Sequence, residues 1–480
     1  MFLSSLSLAF LALFQGSEQF PDLPSGLPLP TLRPPGELLQ ELHEEMDEVP
    51  GARLWHAARP HSLLLGTETW DHERARQERG EALAELNGWT DEERDSWLAA
   101  TAPAPVQLRF ELLRDGRRVA GGERPVLPGD AVTLGRSAWM PVVHDFNIEI
   151  AQTASIADPE IRPSFTGAQC GAVILPVADR GWWMELAFAM STPDPSDAAL
   201  DLGSPGMQGK RRDARQILEF SGSLLLTPGQ ASEVQLPDDY LLRMQIDASP
   251  GVGQQAAGRA IRVDAPTLGL DPGMQGLLEN FSGAVLWADP TGLLLLDADT
   301  GGRAAAEILR AAAAVPQLEI QLRQAEGDAA GEALLGLRGI SGRSYHFATG
   351  LALDAVVDWE VEVASSSRAA DPMFERLFAG WSGSVEARVF LGEVAASKCR
   401  LLYTELDVQH GEELVLAEGI PAAGDRLALP AVSGRLDQIR RLAQPFEFMG
   451  ALADFRISNQ ASGADGAARS VEMTVLTVAE

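Results

Sequence analysis

The sequence predicts an α+β protein built from two tandem copies of one unit. Each unit is a small βαββα domain followed by a mostly β domain. Three observations predict it: a long internal repeat, helix-like and strand-like segments falling in the same order in both halves, and the composition of an ordinary globular chain.

The repeat is the strongest of the three. Residues 145–167 return without a gap as 358–380, and Asp145, Glu149, Ala151, Ala157, Asp158, Pro159, Phe165 and Gly167 each meet the same residue 213 positions on (371 − 158, for instance). Phe146 faces Trp359, Ile148 faces Val361 and Ile150 faces Val363, so the alternation that marks a half-buried strand is kept. An upstream block aligns 51–55 with 283–287, each followed by a run of leucines, Leu63 to Leu65 and Leu293 to Leu296. A downstream block aligns Glu219, Phe220 and Gly222 with Glu447, Phe448 and Gly450. Order is preserved across all three, and a unit of about 200 residues is far longer than a solenoid repeat.

The α/β piece of the second unit reads as a strand at 259–264, a short helix at 271–280, strands at 284–287 and 293–296, and an Ala-rich helix at 303–315 stopped by Pro316. The first unit repeats the plan with a helix at 37–46, strands at 53–55 and 62–65, and a helix at 71–86. It adds an acidic helical insert at 91–98. The β-rich piece reads as short strands at 107–113, 131–134, 146–151, 172–175, 183–189, 217–226 and 241–246, with a matching set running from Glu319 to a last strand at 471–478. Residues 191–213 and 411–425 read as long loops, and 248–265 as the join between units. The expected organisation is a signal peptide (1–17), a Pro-rich leader (18–36), α/β and β-rich domains of copy one (37–105 and 106–250), then those of copy two (251–316 and 317–480).

At 45% hydrophobic and 22% charged residues, the 480-residue chain can bury several cores. Its net charge of −30 repels phosphate backbones and anionic headgroups, so nucleic acid is excluded as a partner. The apolar run from Phe2 to Phe14 has the length of a signal-peptide core and is too short to cross a bilayer, which predicts export. No later segment has the length of a transmembrane helix. Cys170 and Cys399 fall at non-equivalent repeat positions and read as single buried thiols, with an inter-repeat disulfide as the alternative.

No catalytic, cofactor-binding or metal-binding residues emerge, and no cofactor is expected. His56, His61 and His72 lack metal-ligand spacing. Residues 297–301 begin like a calcium loop but place Ile308 at the twelfth position. Asp91, Glu92, Glu93 and Asp95 read as the solvated side of a helix. The repeated Asp158-Pro159 and Asp371-Pro372 read as turn or strand-end signals with a structural role.

The pattern Asp145-Phe146-Asn147-Ile148-Glu149-Ile150-Ala151-Gln152, then Ala157-Asp158-Pro159, then Gly167, with the later Leu224-Leu225-Leu226-Thr227-Pro228-Gly229-Gln230 run, resembles the secretin family. These are the ring-forming proteins of bacterial type II and type III secretion systems, here of planctomycete type, duplicated and divergent. No long pair of amphipathic, Gly-rich strands like those of the family's membrane barrel is legible. The resemblance implies a non-enzymatic, exported structural or assembly protein of the bacterial envelope, in the periplasm or at the outer membrane and linked to secretion. Its partners would be other envelope proteins or itself. Two other readings remain open: a soluble periplasmic or surface binding protein of the same fold, and an envelope hydrolase with a spatially assembled carboxylate site.

Overall fold

A computed structural model describes residues 88–248 and 317–478 apart from short gaps, several positions between 77 and 85, and three short strands between 261 and 296. The expected signal peptide and leader, the upstream repeat block at 51–55, the helices at 37–46, 271–280 and 303–315, the strands at 53–55 and 62–65, and most of the helix at 71–86 lie outside the described residues.

Two compact units are distinguished. The first takes Met1–Pro30, Asp71–Ala102 and Val252–Ala313. It contains helix α1 (Asp91–Ala100), opened by a reciprocal cap in which Thr90 N–H donates to the Glu93 carboxylate (2.8 Å) and Glu93 N–H to the Thr90 hydroxyl (3.3 Å). It also holds a three-stranded antiparallel sheet, described below with its strand numbers.

The second unit takes Thr31–Trp70, Pro103–Gly251 and Ala314–Glu480. Its first half supplies β1 (Val106–Arg114), β2 (Arg117–Val126), β3 (Ala131–Ile150), β4 (Ser155–Val177), β5 (Gly181–Pro193), β6 (Arg215–Leu226), β7 (Ala231–Leu236) and β8 (Tyr240–Ile246). In the first unit follow β9 (Ile261–Val263), β10 (Val285–Asp289) and β11 (Gly292–Leu296), ordered β10-β11-β9. The second half then supplies β12 (Gln317–Ala325), β13 (Ala333–Ile340), β14 (Ser344–Val363), β15 (Arg368–Phe390), β16 (Glu393–Ala417), β17 (Val432–Gly450), β18 (Asp454–Asn459) and β19 (Arg469–Thr477).

These sixteen strands form two eight-stranded antiparallel sheets, β18-β19-β12-β13-β7-β8-β1-β2 and β17-β16-β15-β14-β6-β5-β4-β3. The α+β expectation is therefore overturned. Among the described residues 78% are strand and 5% helix, in two large sheets without alternating βαββα units. The difference has a local cause: Gly and Asp-Pro, which ordinarily punctuate short strands, here lie inside continuous strands of 20 and 23 residues. Thus 131–134 and 146–151 belong to one strand, β3, and β16 runs through the expected loop as far as Ala417. Long antiparallel hairpins, β3–β4 and β14–β15, stand where the sequence showed only short strands.

The duplication is written in the ladders. Ser137 faces Gly167 and Gly350 faces Gly380, rungs 213 residues apart, and β3 and β14 are each bulged at the matching place, between Val143 and Asp145 and between Val356 and Asp358. At each bulge the repeated Asp carboxylate accepts the N–H of the following aromatic residue, Phe146 at 2.9 Å and Trp359 at 2.8 Å. Opposite those aromatics stand Pro159 and Pro372. The repeated Asp-Pro is thus a mid-strand element rather than a turn. Gly167 and Gly380 have φ of 107° and 140°, and a Cβ at either would run into a carbonyl of the neighbouring strand, Arg136 or Thr349.

The downstream block needs one correction. The rung Phe188–Phe220 of the first half recurs as Leu401–Phe446, so Phe446 and not Phe448 takes the place of Phe220, an offset of 226 (446 − 220).

One core runs through both halves and both sheets. It holds Leu108, Phe110 and Leu242 with Phe188 and Phe220 from the first half, and Leu318, Ile320 and Met473 with Phe347 and Phe446 from the second. The hairpin ends carry their own cluster, in which Phe146 and Ile148 meet Val356, Trp359 and Phe374.

Candidate functional site: the joint between the halves

Each half contributes four strands to each sheet, in the same order: β7-β8-β1-β2 and β18-β19-β12-β13 in one, β6-β5-β4-β3 and β17-β16-β15-β14 in the other. The halves meet edge to edge in both sheets at once. In the first sheet β13 pairs β7 through Gly336–Gln235 and Leu337–Val234. In the second, β14 pairs β6 over seven rungs from His346–Ser221 to Ala352–Arg215.

Side chains lock this joint. Tyr345 is fully buried on β14; its hydroxyl accepts the Ile340 N–H (2.5 Å) and donates to the Ser223 carbonyl on the other half (2.9 Å). Gly222 leaves the space the ring occupies, since a Cβ there would collide with it. Burial pushes the Tyr345 phenol up, so it stays protonated.

Beyond the last rung lies a buried ionic network. Lys210 of the first half donates to Asp354 of the second at 2.6 Å and sits 4.4 Å above the Phe374 ring. Arg376 bridges Asp354 (2.9 Å) and Asp213 (3.2 Å), and Asp213 also takes Arg215 (2.7 Å). Arg212 forks onto Asp437 at 3.1 and 3.2 Å, and Asp437 further accepts the Val356 N–H and lies 3.2 Å from His410 Nδ1. Burial raises the Asp354 carboxyl, but Lys210 and Arg376 together outweigh it and hold it below the usual range. In the first half Pro141 and Pro163 occupy the rung that Asp354 and Arg376 fill in the second. The network therefore belongs to the joint and not to the repeat.

A cavity of about 370 Å³ opens at the same joint, lined by Arg114, Asp194, Gln216, Asp238, Tyr240 and Thr349 among others. Arg114 lies 4.9 Å from the Tyr240 ring centre, and Thr349 donates to Asp238 at 3.3 Å. Burial raises the Asp194 carboxyl less than hydrogen bonds from Ser196 and Gln216 lower it, so it stays ionised and is no proton donor at neutral pH. Its charges are of both signs and are partnered by neutral groups: Arg114 donates to the Tyr240 hydroxyl at 3.3 Å, Asp194 accepts from Ser196 and Gln216, and Asp238 accepts from Thr349.

Of the residues weighed in the sequence, His56, His61, His72 and 297–301 lie outside the described residues. Asp91, Glu92 and Glu93 form the first turn of α1. Cys170 and Cys399 are free and buried in the common core, where burial pushes both thiols up to about 12. Asp371 is lifted to about 6, by burial first and then by Asp145, Glu362, Glu360 and Glu160 around it. Among the described residues no three His, Cys, Asp or Glu side chains are grouped to hold a metal ion. The residues that make the joint, Lys210, Tyr345, Asp354, Arg376 and Asp437, were not singled out in the sequence. No family model, curated protein or solved structure matches the chain.

Proposed function

We propose that this chain is a non-enzymatic structural protein that works by self-association through its sheet edges, secretin-like, in the bacterial envelope after export. One observation carries the reading: the halves are joined by a double edge-to-edge pairing, and the strands equivalent to both sides of that joint end the sheets at β2 and β3 on one side and β18 and β17 on the other. A row of unpaired backbone N–H and C=O groups is a template for another strand. The family resemblance of 145–167 and 358–380 supports the placement in the envelope.

Light scattering on a sizing column at low and high ionic strength tests this. With −30 charges per chain, association should be weak at low salt and grow as salt screens the repulsion. A 51.4 kDa monomer at every salt and protein concentration sinks the reading.

A further inference from the structure

The internal joint is heterologous: a β13/β14 edge meets a β7/β6 edge, and the two are different surfaces. The outer edges of the unit are the same two kinds. β2 and β3 correspond to β13 and β14, while β18 and β17 correspond to β7 and β6. We propose that a second copy of this chain adds head to tail, β2 and β3 of one molecule pairing with β18 and β17 of the next, in the register of the internal joint. This rests on the self-association reading and specifies its partner and its geometry.

The register follows from the ladders. β3 is β14 displaced by 213 residues (358 − 145), and β17 is β6 displaced by 226. The internal rungs Phe347–Phe220 and Gly350–Ile217 then become Leu134–Phe446 and Ser137–Ala443 between molecules. In the other sheet, Glu111–Gly121 corresponds to Gln321–Gly336, and Val234–Leu242 to Phe455–Met473. The rungs Gly336–Gln235 and Leu337–Val234 therefore become Gly121–Arg456 and Gly122–Phe455.

Two features fit this register. Leu134 and Phe446 already face the common core, as Phe347 and Phe220 do, so joined molecules would continue one apolar layer. Gly121 keeps the glycine that Gly336 supplies opposite Gln235, where a Cβ would press on the Gln side chain. Pro141 stands at the place of Asp354, two positions past the pairing rungs of β14, and cannot make the bond that Asp354 N–H donates to the Arg212 carbonyl across the internal joint. Pro445 falls inside the joint and removes one donor from it. The ion network has no second copy, since Pro141 and Pro163 replace Asp354 and Arg376. The joint between molecules is thus the weaker of the two and is governed by salt. A heterologous contact closes into a ring or runs on as a filament, depending on the rotation per step.

Two variants of the full chain that each add one cysteine, Ser137→Cys and Ala443→Cys, test the joint, with native Cys170 and Cys399 buried and out of reach. Under oxidation at high salt, the mixture should give a cross-linked heterodimer at least tenfold more abundant than either variant gives alone. The double variant should give a ladder of multimers on a non-reducing gel. Ser137→Cys mixed with Glu447→Cys, displaced along the strand, should cross-link at least tenfold less. Homodimers from a single variant, or oligomers that fail to cross-link at these positions, overturn this joint while leaving self-association standing. Monomers under every condition overturn both.

Discussion

Glu219 lies on β6 with 1% of its surface exposed, and neither carboxylate oxygen has a hydrogen-bond partner among the described residues. Burial pushes its carboxyl up to about 8, so it is neutral at pH 7. The folded chain holds this proton until about pH 8, whereas the unfolded chain releases it near pH 4.5. Stability therefore falls as pH rises through that window, by up to about 1.4 kcal/mol per unit. His144 and His346 act in the opposite sense. Burial first, and for His346 then Lys398, lowers both to about 4, so their contribution is lost as pH falls from 6.5 to 4. Asp371, raised to about 6 and half-exposed, adds a smaller loss as pH rises towards 6. Between pH 6.5 and 8 Glu219 stands alone among these groups. Denaturant unfolding should show the native protein losing stability over that interval and Glu219→Gln remaining flat. Equal slopes for the two proteins would mean that Glu219 is ionised and solvated in the folded state.

At the scale of elements, the long hairpins and the joint decide which parts of the architecture were legible. Alternation located β1, β8 and β19 because each has one face in the core and little punctuation, and an apolar run located β6, which is buried on both faces. It failed along β3, β4, β14 and β15, where positive-φ glycines and bulges shift the phase without ending the strand. It also missed β2 and β7. The polar, exposed character of β2 hides its pairing, because an edge strand need bury little. The joint had one sequence signal that went unused: at the 213-residue offset, Pro141 and Pro163 stand against Asp354 and Arg376, a paired exchange of two prolines for two opposite charges. Lys210 is the network's fully buried cation. Lys210→Met leaves Asp354 with Arg376 alone and should cost about 3 kcal/mol, since removing one partner strands a buried charge. Urea unfolding measures it, and a loss below about 1 kcal/mol would show that water reaches Asp354. Gly380→Val should cost 1–3 kcal/mol or more through strain at a positive φ, whereas Gly342→Ala, in an open turn with nothing near its Cβ, should cost less.

For the whole molecule, strands of 19–25 residues raise the question of a membrane barrel, because roughly 9–11 tilted residues suffice to cross a bilayer. Among the described residues no helix is long and apolar enough to cross a membrane, which leaves strands as the only candidates there. Their charge pattern argues against insertion. The exposed side of the β14–β15 hairpin end carries Asp358, Glu360, Glu362 and Glu375, with Met373 and Val363 the only large apolar residues exposed among them. The inner sides are already occupied by Trp359, Phe374 and Val356, packed against Phe146 and Ile148. On this hairpin a lipid-facing row would have to be the acidic one, at roughly 3 kcal/mol for each charge held near the bilayer centre. Assembly would multiply that cost around every copy. The protein lacking residues 1–20 should therefore remain in solution without detergent, and planar bilayers exposed to it, as monomer or as the salt-induced oligomer, should show no channels. Stable single-channel steps that vanish in a Gly380→Val variant would reverse this, assigning the hairpins to a pore and the acidic row to its lumen.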